Sequence, residues 1–151
     1  GQDDDFKIHN LEEIRNTVSN SIGVFTLLLG AVASIALIVG GIGIMNIMLV
    51  SVTERTKEIG LRMALGAKRK DIMLQFIVES VTLSLIGGLF GIILGIIVSF
   101  IISRLAEWPT TIEIDSIIIA FFFSAAIGVF FGLYPARKAS LLDPIEALRF
   151  E

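Results

Sequence analysis

Hydrophobic and polar positions along this chain are sorted into blocks instead of being interleaved. Residues 22–52 contain no charged side chain, residues 72–102 contain only Glu79, and residues 116–134 again contain none. Each run reaches the roughly 20 residues needed to cross about 30 Å of hydrocarbon. The pattern therefore predicts three transmembrane helices, and the expected fold class is all-α, integral membrane. Polar blocks at 1–21, 53–71, 103–115 and 135–151 separate and flank them.

The first polar block begins ambiguously. "DFKIHN" alternates apolar Phe6 and Ile8 with polar neighbours, a weak strand signal. Asn10 followed three residues later by Glu13 reads as an N-cap with a capping-box partner. From there Leu11, Ile14, Val18, Ile22 and Phe25 recur every three or four residues, one apolar stripe on a helix. With no proline before Pro109, one helix can run from residue 11 to residue 52, about 60 Å at 1.5 Å per residue. Only about half of that fits in hydrocarbon, so roughly 30 Å is expected to project as a stalk. The alternative is an amphipathic segment lying on the membrane and bent at residues 21–23. The stripe itself suggests a short coiled-coil seam with a second stalk or a missing helix. The first apolar run is no cleaved signal peptide: it is too long, and it follows the acids Asp3, Asp4 and Asp5 instead of a basic segment.

Charge distribution orients the helices. The segments 53–71 and 135–151 hold nine of the twelve Lys and Arg residues, and the segments 1–21 and 103–115 hold the other three. The positive-inside rule then puts the N-terminus outside the cytoplasm and the C-terminus inside it. Composition agrees: 54% of residues are hydrophobic and 18% charged, too greasy a balance for an ordinary soluble domain. There is no cysteine, which excludes disulfides and thiolate metal sites. Nothing points to a metal site or to nucleic acid as a partner.

Within the apolar runs, small residues fall at helical spacing. Gly87, Gly91 and Gly95 make two successive small-xxx-small steps, Gly128 and Gly132 make another, and Gly40, Gly41 and Gly43 crowd beside Asn46. Such residues let helix backbones approach closely in lipid, so helix packing is the expected role. Asn46 needs a hydrogen-bond partner there. Glu79, the one ionisable group inside a run, lies about 12 Å beyond Asp71 at helical rise, in the inner leaflet. A structural role is expected for it, with proton or substrate coupling as the rival. Trp108 and Tyr134 sit at the two boundaries as interfacial anchors. Pro135 is expected to stop the last helix. "LDPIEALRF" then carries a short helix signature: Asp143 as N-cap, Pro144 at the first position, Glu146 in the first turn, and Ile145 and Leu148 on one face.

The block "SVTERTKEIGLRMALGAKRKDI" is the most informative. Glu54 with Lys57 and Glu58 with Arg62 are acid-first pairs at i,i+3 and i,i+4. Ile59 and Met63 share one face, Leu61 and Leu65 another, and Gly66 is placed as a C-terminal stop. A short helix with apolar residues among charges is predicted, and a plain solvated loop needs none of those four. A protein contact is the favoured reading, and a lipid-facing interfacial helix is the runner-up.

At this point a resemblance becomes specific. "VGGIGIMNIMLVSVTERTKEIGLRMALGAKRKDIMLQFIVES" and "YPARKASLLDPIEALRFE" resemble the core and C-terminal signatures of the macrolide-exporter (MacB-type) ABC permeases, the FtsX-like permease group. The resemblance spans residues 22–151. It implies a four-helix permease of the bacterial inner membrane. The first of those helices precedes a large extracytoplasmic domain, and the second is extended as a stalk. It also implies pairing with a second permease subunit, a periplasmic adaptor, and ATPase subunits that carry ATP and Mg. In the family, the segment matching residues 53–66 is the coupling helix that docks on the ATPase. Carried over, Glu54, Arg55, Glu58, Ile59, Arg62 and Met63 are the docking candidates, and Asp143, Ile145, Glu146, Leu148 and Arg149 are a second contact. The family is thought to transmit motion through the stalk instead of conducting substrate through a pore.

The chain departs from the family pattern in lacking the first helix and nearly all of the outer domain, so it is expected to be the C-terminal portion of a longer permease. "GLRMALGAK" lacks the spacing of a phosphate-binding loop, and "GIGIMN" fails the dinucleotide pattern at its last position. No enzymatic activity is therefore expected of this chain, and the ATPase is expected on other sequence. Two alternatives to an exporter permease remain: an FtsX-like regulator of an outside hydrolase, and a small carrier or channel subunit using Glu79.

Overall fold

A computed structural model describes the backbone of residues 2–107 and 110–149, with side chains from residue 13 onward. Five helices follow one another among the described residues: α1 (Gln2–Glu54), α2 (Thr56–Ala64), α3 (Arg69–Ala106), α4 (Ile114–Ser140) and α5 (Pro144–Arg149). No strand occurs among the described residues. Three of the helices, α1, α3 and α4, are long and apolar enough to cross a membrane. The protein is an all-α integral membrane protein.

The chain forms two compact units, Gly1–Gly40 and Gly41–Glu151. The described residues of the first all belong to α1. Phe6 and Ile8 lie in helix, not strand, and Asn10 is an interior helical residue instead of an N-cap. A six-residue alternation is too short to outweigh helical continuity with the long apolar run behind it. Ile14, Val18, Ile22 and Phe25 of the stripe are all more than half exposed. The hydroxyls of Thr17, Ser21, Thr26 and Ser34 each donate to the carbonyl four residues earlier, at 2.8–2.9 Å. An apolar helix thereby satisfies its own polar side chains, as a lipid environment requires.

The second unit is built on the antiparallel pair α3 and α4. Ser80 Oγ donates to the Gly128 carbonyl at 3.0 Å, and Ser84 and Ser124 exchange reciprocal hydroxyl-to-carbonyl bonds at 2.5 and 2.6 Å. Gly128 permits this approach: a Cβ there would stand 2.8 Å from the Val81 backbone. Gly132 does the same against Ser80, Gly88 against Ser124, and Gly41 against Phe131. In contrast, a Cβ on Gly40, Gly43, Gly87, Gly91 or Gly95 would meet no atom within 4 Å. Of the glycines singled out from the sequence, Gly41, Gly128 and Gly132 therefore stand in close contact with another helix, and the other five show no such contact among the described residues. Asn46 is exposed, and its amide makes no hydrogen bond among the described residues.

Where α1, α2, α3 and α4 converge, Met48, Val52, Ile59, Ile72, Phe76, Ala136 and Ala139 form the buried core, each no more than 2% exposed. This core explains why Pro135 does not end α4, which continues to Ser140. Pro135 cannot donate to the carbonyl one turn earlier. The turn beyond it nevertheless buries Ala136, Ala139 and Ser140, and that packing holds the helix together, as proline-containing membrane helices allow. Tyr134 is exposed, whereas Trp108 lies outside the described residues.

Candidate functional site

The polar block resolves into a joint, a short helix and a tight stop. α1 ends at Glu54, and Arg55 leaves helical geometry with φ −96° and ψ 14°. The hydrogen-bond ladder still runs through the joint, from Arg55 N–H to the Ser51 carbonyl at 3.0 Å and from Ile59 N–H to the Arg55 carbonyl at 2.9 Å. Two threonines accompany the bend: Thr53 Oγ1 donates to the Leu49 carbonyl, and buried Thr56 Oγ1 reaches the Val52 and Thr53 carbonyls. Hydroxyls bonding back in this way often bend helices.

α2 ends as Gly66 foretold. Gly66 has φ +102°, its N–H donates to the Met63 carbonyl, and the Ala67 N–H donates to the Arg62 carbonyl, both at 3.0 Å. That pair of bonds around a left-handed residue is the Schellman arrangement. α3 then begins with the Asp71 carboxylate accepting from the Lys68 N–H at 3.2 Å, which ties its first turn.

The two apolar faces of α2 have different fates. Ile59 is buried in the core and Met63 packs against it, whereas Leu61 and Leu65 are 52% and 81% exposed. Ile59 is therefore a seat for α2 on its own chain and is not displayed on the surface. Arg55, also among the residues expected to dock, is engaged by its own chain: its Nη1 donates to Glu79 Oε2 at 3.1 Å. Arg62 donates to Glu58 Oε1 at 2.5 Å and to Gln75 Oε1 at 2.8 Å. Glu54 and Glu58 are exposed, Glu54 beside Asn46, Ile47, Val50 and Ser51 in a shallow depression.

α5 lies against α2. Gly60 faces Ala147, and a Cβ on Gly60 would stand 2.6 Å from the Ala147 Cβ. Asp143 caps the helix as expected, its Oδ1 accepting from the Ile145 N–H at 2.8 Å. Ile145, Glu146, Leu148 and Arg149 remain exposed while Ala147 is buried. α2 is thus held from beneath by the core and from one flank by α5, and it presents Lys57, Glu58, Leu61, Arg62 and Leu65 outward. Leu61 and Leu65 were visible in the sequence as apolar residues that argue for a protein contact, although they were not among the docking candidates carried over from the family. Gly60 carried no signal, because its partner is 87 residues away in sequence.

Comparison with known proteins agrees with this architecture. Residues 22–144 match the family "FtsX-like permease C-terminal". A "Macrolide export ATP-binding/permease protein MacB" of Bdellovibrio bacteriovorus is 55% identical over 150 residues, covering 99% of this chain and 23% of that protein. A protein of the same name from Syntrophobacter fumaroxidans is 52% identical over 151 residues, covering 100% of this chain and 21% of its own length. The "Uncharacterized ABC transporter permease YknZ" of Bacillus subtilis is 50% identical over 151 residues, with 100% of this chain and 38% of that protein covered. The chain thus spans between about a fifth and two-fifths of the length of these curated relatives. On the strength of a family match over most of its length, the chain belongs to the FtsX-like permease C-terminal family.

Proposed function

We propose that this chain is the membrane and coupling portion of an ABC-type permease of the bacterial inner membrane. It would convert ATP hydrolysis by a partner ATPase into movement on the far side of the bilayer, for export or mechanical transmission. The observation that carries the reading is the division of α2. Ile59 fixes the helix in the core while Leu61 and Leu65 stay bare among Lys57, Glu58 and Arg62. Burying an exposed leucine of this size in a partner is favourable by about 1.5–3 kcal/mol. A helix anchored so firmly transmits a push instead of yielding to one. The names of relatives, which join "ATP-binding" to "permease", support an ATPase as the partner.

The nine cations of the 53–71 and 135–151 segments support a cytoplasmic position for α2 and α5. The exposed Ile145 and Leu148 of α5 extend the same surface. The carrier alternative uses Glu79; its pairing with Arg55 supports the structural role expected of it.

The test is co-purification of the full-length permease with its ATPase. Leu61→Glu combined with Leu65→Glu is expected to lower ATPase retention at least tenfold at equal permease abundance in the membrane. Undiminished retention would refute the docking surface.

A further inference from the structure

Glu79 is the lone charge in the run 72–102, and the permease reading leaves it without a task. Its carboxylate accepts from Arg55, the single non-helical residue between α1 and α2. The two side chains are 45% and 30% exposed, so the pair is half-sheltered. One helical turn before Glu79, Gln75 accepts from Arg62 in the last turn of α2. Residues four apart share a helix face. One face of α3 therefore receives an arginine from each end of α2.

That arrangement answers a mechanical problem. α2 is joined to α1 through one residue and to α3 through the turn at Gly66, so each connection is a point about which a nine-residue helix can pivot. The core holds α2 through Ile59 and Met63, and α5 flanks it at Gly60, but apolar contacts are non-directional and do not by themselves fix its direction. Two polar ties a turn apart do. Their acceptors also gain from the arrangement, because an acid near the hydrocarbon is costly unless paired, and a bidentate-capable guanidinium is the donor best suited to hold it.

We infer that Arg55–Glu79 and Arg62–Gln75 form a two-rung strap that locks α2 onto α3, with Glu79 as its main positioning residue. Force applied to α2 then enters α3 instead of bending the Arg55 joint. The role of the strap in coupling rests on the proposed function; the strap itself does not. The test uses the full-length permease, cleared of other cysteines, with spin labels at Lys57→Cys on α2 and Ile97→Cys on α3. The unsubstituted pair gives one narrow distance distribution. Arg55→Glu or Glu79→Arg at least doubles its width, and the double exchange Arg55→Glu/Glu79→Arg narrows it again. Glu79→Gln broadens it in the same sense and serves where Glu79→Arg does not reach the membrane.

ATP turnover by the permease–ATPase complex falls at least fivefold with Glu79→Arg and returns to within twofold of the original in the exchange. Single variants as narrow as the original, or an exchange no better than the worse single change, overturn the strap. Broadening without a change in turnover overturns its part in coupling. An original complex that retains no ATPase sinks the proposed function, and the distances still decide the strap.

Discussion

Gly60 and Ala147 stand so close that the short C-terminal helix rests directly on α2; a Cβ added to Gly60 would come within 2.6 Å of the Ala147 Cβ. Neither atom sits at the end of a pliable side chain, so nothing local can yield. Gly60→Val is therefore expected to displace α5. A spin label on Leu148→Cys, a site 48% exposed, should report the release as increased mobility. Unchanged mobility would mean that α5 is held by something other than this contact.

The buried and bare faces of α2 separate stability from binding. Ile59, 2% exposed, is expected to cost about 2–5 kcal/mol when replaced by alanine, the range for large-to-small core changes. Leu65→Ala, at a position 81% exposed, is expected to shift stability by less than about 0.5 kcal/mol. Thermal melting of the detergent-solubilised permease compares the two. ATPase retention is expected to fall for Leu65→Ala although its melting does not.

Glycine spacing in α3 and glycine contact in α4 make opposite predictions. Gly128→Ala would force a methyl to 2.8 Å from the Val81 backbone and 2.9 Å from the Ser84 Cβ; overpacking of that kind costs about 1–3 kcal/mol. Gly91→Ala meets nothing within 4 Å and removes a flexible residue from a helix interior, so it should be neutral or stabilise by up to about 1 kcal/mol. Melting temperatures of the two variants decide this, and a destabilising Gly91→Ala would reveal another helix packed on that face.

The Ser84–Ser124 clasp offers a third comparison. Each hydroxyl donates to the other residue's carbonyl, at 2.5 and 2.6 Å. Ser84→Ala and Ser124→Ala are each expected to cost about 0.5–1.5 kcal/mol, as for a typical intramolecular hydrogen bond. A double-mutant cycle should show coupling between them, because the two bonds fix the same pair of backbones. Strictly additive losses would show that the bonds act independently.

Much of the candidate site was legible along the chain. The acid-first pairing of Glu58 with Arg62, the stop at Gly66 and the Asp143 cap are local events within a few residues, and each appears where the pattern put it. Pro135 was misread because a local rule about helix ends was applied to a turn that the core holds in place. Gly87, Gly91 and Gly95 show the same limit: spacing places residues on one face without saying whether anything lies against that face. Glu79 was given a structural role without a named partner, because Arg55 is 24 residues away, beyond any helical period.

By itself the sequence determined that this chain is helical and membrane-embedded, with three spans and a short amphipathic helix between the first two of them. Block hydrophobicity and local caps act over a turn or a bilayer width, and they need no knowledge of neighbours. Only the tertiary structure decided which apolar face of α2 is seat and which is surface, that α5 lies on Gly60, and that Arg55 is taken up by Glu79. Those outcomes depend on which backbones approach one another, and periodicity along a single chain carries no information about that.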